Sequence, residues 1–329
     1  MKRRKFITLL GSALACPLAA RAQQGGKQRR VGVLTLYGET NQEVQGWLAA
    51  FREALGKLGW TEGQSIKFEY HWVGVDPSLI QQAAKDAVTS RPDLIISPSS
   101  PATASLLQQT RTIPIVFVQV VDPVGQGFVA SLSHPGGNAT GLVNLETSMA
   151  GKWLELLKEV VPRLRRVVIP FNPGTTPYAD LYLHYFKSTA PSIGVEVTAA
   201  PVEDLAALEA IALTQARERE TGFVLMPSGF ISGRTKEIAA IMARYSLPAI
   251  YSIRSFPEAG GLLSYGNDIT DNYRRAATFV DRILRGDRPS ELPVQFPVKF
   301  ELVVNLKTAK ALGLDVPPML FARADEVIE

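Results

Sequence analysis

The residues with the clearest binding chemistry follow an apolar run, 94–96, that has the composition of a buried β-strand. The sequence Ser-Pro-Ser-Ser-Pro at 97–101 comes next. Serine before proline is typical of a helix N-terminus, where free N–H groups and the positive end of the helix dipole favour a carboxylate. We therefore predict that Ser99, Ser100 and Thr103 hold an acidic group of a ligand. The alternative is that they only cap the helix.

Other polar residues follow further predicted strands in the same way. Asp122 comes after the strand 113–118 and would face an ammonium group, the alternative being an Asp-Pro turn without ligand contact. In the second half of the chain, Asn172, Met226 and Ser228 occupy the corresponding loops. Amide and hydroxyl side chains can both donate and accept hydrogen bonds, so Asn172 and Ser228 suit a polar ligand.

Four tyrosines fall at predicted strand ends or helix starts. They are Tyr37, Tyr178, Tyr251 and Tyr265. Aromatic walls with a few polar anchors suit a flat organic ligand, so we predict that these side chains line a binding cleft. Packing in the core or on the surface is the alternative for each of them.

The sequence carries no recognised catalytic or metal-binding motif. His71, His134 and His184 share no metal-ligand spacing, and neither a Gly-x-Ser-x-Gly turn nor a phosphate-loop lysine motif occurs. A Gly-x-Gly-x-x-Ala pattern at 125–130 resembles a dinucleotide-binding turn, but the Pro-Gly-Gly at 135–137 would end its helix within about two turns. We predict no catalytic residue, no metal site and no cofactor.

The first 22 residues have the pattern of a bacterial export signal. Arg3 and Arg4 precede a short apolar run, and Ala-Arg-Ala at 20–22 is a small-x-small peptidase site. A phenylalanine one residue after the arginine pair favours the twin-arginine route, with an ordinary secretory signal as the alternative. We predict that the mature protein works in the periplasm.

Removal of this segment would change the charge and the cysteine content. The segment holds five basic and no acidic residues, so the formal net charge of +4 falls to −1 without it. No lysine or arginine cluster is left to neutralise phosphates, and we predict no nucleic-acid binding. The one cysteine, Cys16, lies within the segment, so the mature chain would have no disulfide. A lipid anchor through Cys16 is the alternative to free release.

The remaining chain alternates β-branched runs with helical patterns, and the order of the runs occurs twice. The runs 29–34, 93–99 and 113–118 return as 165–170, 222–228 and 247–252. Such a repeat predicts an α/β fold with two doubly wound parallel-sheet lobes. Ligands bind at the carboxyl ends of such strands, so the cleft between two facing lobes is the expected binding site.

Several separated motifs resemble one group of ABC-transporter substrate-binding proteins. They are 121–124, 132–141, 151–157, 172–173, 258–266, 300–314 and 323–328. This group is similar in fold to the type I periplasmic binding proteins and includes tryptophan/tyrosine-type uptake receptors. The resemblance covers essentially the whole mature chain.

The resemblance implies a hinge at which the chain crosses three times between the lobes. The crossings are expected near 141–145, 265–270 and 289–294. Lobe one would then comprise 31–143 with the helix 271–287, and lobe two would comprise 146–265 with the tail 294–329.

The resulting interpretation is an exported solute-binding protein that closes on a small organic molecule and delivers it to a membrane ABC permease. An amino acid or an aromatic acid is the expected ligand, and a purine-like molecule also fits these side chains. A monomer is expected. One alternative is a sensory module that presents its ligand to a membrane receptor. The other is a periplasmic enzyme on the same scaffold, in which Asp122 would be the first catalytic candidate.

Overall fold

The computed structural model describes residues 28–144, 146–218 and 220–329. The predicted export signal, Cys16 and residue 145 of the first predicted crossing lie outside the described residues. Among the described residues, no helix is both long and apolar enough to cross a membrane.

The first half of the chain forms a five-stranded parallel sheet. Its strands are β1 (Arg29–Thr35), β2 (Ile66–Trp72), β3 (Leu94–Ser97), β4 (Ile115–Val120) and β5 (Ala139–Val143). Their order in the sheet is β2-β1-β3-β4-β5. Three helices connect the first four strands: α1 (Gln42–Lys57), α2 (Pro77–Thr89) and α3 (Ser100–Gln109).

The second sheet has seven strands in the order β12-β11-β10-β9-β8-β6-β7. These strands are β6 (Arg166–Phe171), β7 (Glu196–Pro201), β8 (Thr221–Leu225), β9 (Ala249–Tyr251), β10 (Leu263–Asn267), β11 (Phe300–Asn305) and β12 (Glu326–Ile328). All neighbours are parallel except β10 and β11.

Nine further helices follow in the described part of the chain. They are α4 (Met149–Val160), α5 (Ala179–Thr189), α6 (Leu205–Gln215), α7 (Gly229–Ser232), α8 (Thr235–Arg244), α9 (Ser255–Glu258), α10 (Ile269–Leu284), α11 (Leu306–Ala311) and α12 (Pro318–Arg323). Short 3₁₀ turns lie at Ala190–Ile193 and Pro289–Glu291.

Helices cover both faces of the central strands of each sheet, which explains why these strands are largely apolar. In β1, Val31 and Val33 pack with α1 and α10, while Leu34 packs on the opposite face with α2 and α3. In β6, Val167 packs with α4 and α5, while Val168 packs with α6 and α8. Strands buried on both sides lack the alternation of a half-exposed sheet.

The two sheets repeat one topology. The order β2-β1-β3-β4-β5 in the first sheet has its equivalent in β7-β6-β8-β9-β10 of the second. The prediction of an α/β fold with two parallel-sheet lobes is therefore confirmed. We call the first sheet with α1, α2, α3 and α10 lobe one, and the second sheet with its helices lobe two.

The chain passes three times between the lobes. It leaves lobe one after β5, returns between β10 and α10, and leaves again between α10 and β11. Helix α10 belongs with lobe one because Tyr273 stacks on Trp47 of α1, with ring centroids 5.7 Å apart. The boundaries of the lobes, as drawn from the sequence, stay a prediction.

Two glycines let the strands next to these passages lie close to their neighbours. A Cβ at Gly141 in β5 would lie 2.0 Å from the Phe117 carbonyl oxygen, and one at Gly266 in β10 would lie 1.9 Å from the Ser252 carbonyl oxygen. No side chain fits at either position without a shift of the backbone.

Candidate ligand-binding site

A cavity of about 160 Å³ lies between the lobes, where the carboxyl ends of both sets of parallel strands face each other. We call it the interlobe cavity. Its polar lining consists of Gln81, Ser99, Ser100, Ser105, Gln119, Asn144, Thr175, Ser228, Ser232 and Ser252. Its larger apolar side chains are Leu36, Tyr37, Trp47, Val75, Ile80, Tyr178, Ile231, Ile253 and Ile269. This is the place where open α/β sheets bind ligands.

Five of the residues predicted from the sequence line the interlobe cavity. They are Tyr37, Ser99, Ser100, Tyr178 and Ser228. The first three belong to lobe one and the last two to lobe two, so the structure brings together side chains from both halves of the repeat.

Ser99 and Ser228 occupy equivalent positions in the two lobes. Each follows a Pro after a buried strand and is the N-cap of the next helix, with φ/ψ of −166°/158° at Ser99 and −162°/155° at Ser228. Ser99 Oγ accepts from the Ala102 N–H at 3.3 Å, and Ser228 Oγ accepts from the Ile231 N–H at 3.1 Å. A hydroxyl that accepts in a cap can still donate, so both can also hydrogen-bond a ligand oxygen.

The Ser100 side chain ties the start of α3 to the end of β4. Its Oγ accepts from the Val121 N–H and from Gln126 Nε2, both at 3.2 Å. The hydroxyl thus positions the first turn of α3 at the interlobe cavity.

Thr103 and Asp122 lie outside the lining of the interlobe cavity. Thr103 is fully buried one turn into α3, where Oγ1 donates to the Ser99 carbonyl oxygen at 2.8 Å and lies 2.8 Å from Ser97 Oγ. Asp122 has φ of +43°, and its Oδ1 accepts from the Gly125 N–H at 2.9 Å. This hydrogen bond closes an Asp-Pro turn, which was the stated alternative to ligand contact. The turn directs the carboxylate toward the Gly125 N–H.

Asn172 and Met226 also contribute no surface to the interlobe cavity. Asn172 Nδ2 donates to the carbonyl oxygens of Val202 and Glu203, both at 3.0 Å, and Oδ1 accepts from the Thr175 N–H. Through these hydrogen bonds, the Asn172 amide joins two loops of lobe two. Met226 is fully buried in the core between α4, α5 and the second sheet.

Two of the four tyrosines pack elsewhere. Tyr251 is buried and stacks on Phe256 with ring centroids 4.1 Å apart. Tyr265 stacks on Phe300 of the neighbouring strand, and its carbonyl oxygen accepts from Trp153 Nε1 at 2.6 Å. Both side chains therefore stabilise lobe two and stay out of the lining.

The sequence did not single out Trp47, Gln119, Asn144 or Ser232, all of which line the interlobe cavity. Trp47 lies on α1 among core residues and contacts Tyr37 edge to face, with centroids 5.8 Å apart. Nothing in its local sequence separates it from the other apolar residues of that helix. Ser232 ends a helix of one turn that no periodicity could predict.

The lobes are in direct contact across the cavity. Tyr37 Oη donates to Ser232 Oγ at 3.3 Å, which joins the loop after β1 to the end of α7. At a second point, a Cβ placed on Gly229 would lie 3.5 Å from Val75 Cγ1, so the gap between the lobes there is about as wide as one methyl group. The cleft is closed in this structure.

The lining of the interlobe cavity is uncharged, because the described residues that form it include no Asp, Glu, Lys or Arg. Burial raises the pKa of Tyr37 and of Tyr178, so both phenols keep their protons at neutral pH. Tyr178 Oη donates to the Pro227 carbonyl oxygen at 3.0 Å. In the described part of the chain, no group of three or more His, Cys, Asp or Glu is placed to hold a metal ion.

Charged groups meet at the rim of the cleft instead. Glu43 of α1 lies beside Arg254, Ser255 and Glu258 of lobe two. Burial, reinforced by the Glu258 carboxylate, raises the pKa of Glu43 to about 7, although Ser255 and Arg254 act in the opposite direction.

Comparison with known proteins connects this site to a family. The family model described as ABC transporter substrate binding protein matches residues 41–328. A curated relative, the tyrosine-binding protein of Clostridioides difficile strain R20291, is 23% identical over 288 residues, which are 88% of this chain and 82% of the relative.

Solved structures share the whole fold. A conserved domain protein from Vibrio cholerae is 27% identical with a TM-score of 0.84, over 92% of this chain and 100% of that one. An ABC domain in complex with L-Trp from Streptococcus pneumonia is 22% identical, also with a TM-score of 0.84 and the same shares of the two chains. The likeness to the L-Trp complex shows that the two chains share a fold.

Proposed function

The chain belongs to the ABC transporter substrate binding protein family, whose members bind solutes and are not enzymes, and we propose that it captures an aromatic amino acid for an ABC importer. The observation that carries this proposal is the closed, uncharged interlobe cavity with aromatic side chains contributed by both lobes. The tyrosine-binding relative and the L-Trp complex support the choice of ligand class.

The shape and lining of the cavity suit one aromatic ring. Tyr37 and Trp47 form a wall in lobe one, and Tyr178 faces them from lobe two. Aromatic rings prefer edge-to-face or offset contacts with such side chains. The volume of about 160 Å³ is below the roughly 300–1,000 Å³ of pockets for drug-sized ligands, which favours a small molecule.

The uncharged lining favours a ligand without net charge. An isolated charge buried there would have no counter-ion among the lining side chains, and its desolvation would be unfavourable. An aromatic amino acid is a zwitterion whose two charges sum to zero. The start of α3 at Ser99 and Ser100 offers hydrogen-bond donors to its carboxylate. The amide of Asn144 is a neutral acceptor for its ammonium group.

Capture would occur by closure of the lobes around the ligand. A ligand that contacts both lobes favours the closed state in proportion to its extra contacts there. The Tyr37–Ser232 hydrogen bond forms only when the lobes meet, so it contributes to the same equilibrium. A membrane ABC permease would then receive the closed, loaded protein, and the export pattern of residues 1–22 supports a periplasmic location.

Calorimetric titration of residues 23–329 with L-tyrosine, L-tryptophan and L-phenylalanine tests this proposal. We expect saturable binding of at least one of them with one site per chain. L-Aspartate and D-glucose are the controls, since one carries a net charge and the other lacks an aromatic ring. Binding of either control with no binding of the aromatic amino acids would contradict the proposed ligand class.

A further inference from the structure

Gln119 lies in an irregular part of β4. The pairing of β4 with β5 shifts register between Phe117 and Val120, and Gln119 has φ of +63°. This left-handed conformation is unfavourable for a residue other than glycine, asparagine or aspartate. Strained backbone of this kind is frequent at ligand sites.

The irregularity changes which side chain faces the core. Val116 and Val118 pack on one face of the sheet, and Phe117 packs on the other. Regular alternation would place Gln119 on the same face as Phe117, among apolar side chains. Val120 occupies that face instead, so the extra residue leaves the Gln119 side chain free to reach the interlobe cavity, which it lines.

The Gln119 amide has a buried donor without a partner. Its Nε2 is shielded from solvent and makes no hydrogen bond with any described residue. Leaving an amide N–H unpaired in a protein interior is unfavourable, and such groups in native structures call for an explanation. A ligand oxygen in the interlobe cavity would supply the missing acceptor.

The position of this donor indicates which ligand group it meets. Gln119 is two residues from Val121, whose N–H is bonded to Ser100 Oγ at the start of α3. Gln119 and the first turn of α3 thus both belong to the lobe-one part of the cavity lining. A carboxylate is the ligand group that accepts several hydrogen bonds at once.

We propose that Gln119 determines ligand specificity by donating a hydrogen bond from Nε2 to the ligand carboxylate. The inference rests on the proposed function and adds the residue that distinguishes an amino acid from its decarboxylated amine. One role then explains three features of Gln119: the strand irregularity, the left-handed backbone and the unpaired donor. Together they place an amide N–H where it can bind the ligand.

Two variants test this role, with L-tyrosine, L-tryptophan and tyramine as probes. Gln119→Leu keeps the approximate size and removes the donor. We expect about a tenfold weaker affinity for the amino acid that binds the wild type, because a buried charged oxygen loses a hydrogen bond. Tyramine lacks the carboxylate and carries a net positive charge, so it should bind the wild type more weakly, and its affinity should change less than about twofold in the variant. Gln108→Leu is the matched control, since Gln108 is an exposed glutamine that lies outside the lining of the interlobe cavity.

The unfolding temperature of the unliganded protein separates this role from a structural one. Gln119→Leu removes a buried unpaired donor, so its unliganded unfolding temperature should be unchanged or higher. A lower unfolding temperature, or an amino acid affinity within twofold of the wild type, would overturn the inference alone. If the wild type binds none of the aromatic amino acids, the proposed function fails and the inference fails with it.

Discussion

Tyr37 of lobe one and Ser232 of lobe two are joined by a hydrogen bond of 3.3 Å, in which the phenol donates to the serine hydroxyl oxygen. The two residues are separated by 195 positions in the chain, and both line the interlobe cavity. The Tyr37 ring also contacts Trp47 edge to face. One side chain therefore forms part of the cavity wall and part of the contact that holds the lobes together.

Tyr37→Phe should weaken ligand binding by about two- to fivefold, because it removes one hydrogen bond of the closed state and keeps the aromatic wall. Ser232→Ala should have a similar effect, and the double variant should be no weaker than the weaker single variant. Calorimetric titration with the bound amino acid measures all three. Tyr185→Phe is the control, since Tyr185 is exposed on lobe two. Additive losses in the double variant would argue against a direct link between the two hydroxyls.

Lower pH should favour the closed state through Glu43. The pKa of Glu43 is raised to about 7 when the lobes meet, by burial and by Glu258. If the pKa returns to its ordinary value when the lobes part, the closed state binds a proton more tightly than the open state. Closure is then favoured as the pH falls through 7, and the gain is complete once the pH is below the ordinary pKa near 4.5.

The effect is measured as ligand affinity between pH 8 and pH 5, where we expect a gain of up to about tenfold after allowance for solvent screening. Glu43→Gln should remove most of this dependence and bind more tightly than the wild type at pH 8. Both proteins keep the other charged groups at the rim, so any effect of these groups on the pH dependence of affinity is the same in both. They are Lys236, Glu237, Arg254, Glu258, Asp268, Arg274, Lys299 and Glu301. An unchanged pH profile in Glu43→Gln would assign the effect to one of them.

Ser99→Ala and Ser228→Ala should each reduce the free energy of unfolding by about 1 kcal/mol, because each removes the side-chain cap of a helix. Ser99 caps α3, a helix of ten residues, whereas Ser228 caps α7, a helix of four residues. The loss of the cap therefore affects a longer segment at Ser99 than at Ser228. Denaturant titration of the unliganded protein gives the stability. Ser99→Asp is the informative companion variant: it restores a cap but places a negative charge near the proposed carboxylate position. We expect it to recover stability and lose affinity.

Gly266→Ala should destabilise the protein by about 2–4 kcal/mol, since the added Cβ would lie 1.9 Å from the Ser252 carbonyl oxygen and β9 and β10 would have to separate. Thermal unfolding measures the change. Gly137→Ala is the matched control, because a Cβ there meets no atom within 4 Å and the residue is exposed. Equal unfolding temperatures for the two variants would show that the strand adapts without strain.

Much of the fold could be predicted from the sequence because its signals are local. Apolar runs of β-branched residues indicated buried strands, and their repetition indicated two lobes of the same topology, as β2-β1-β3-β4 and β7-β6-β8-β9 show. Ser99 was predicted from a local helix-start signal, because serine and proline favour the first turn of a helix. Ser228 was predicted from its equivalent loop in the second half of the repeat.

The sequence by itself thus determined the two sheets, the family and the loops that meet at the cavity, because apolar periodicity and helix caps act over a few residues. Which side chains enter the cavity was decided by the tertiary structure. The shift of register in β4 turned Gln119 toward the cavity, and the closure of the lobes brought Ser232 to Tyr37. Asp122 and Asn172 have suitable side chains, but their loops use them in their own hydrogen bonds. The direction of a side chain depends on strand register and on contacts between distant segments. A local sequence pattern determines neither of them.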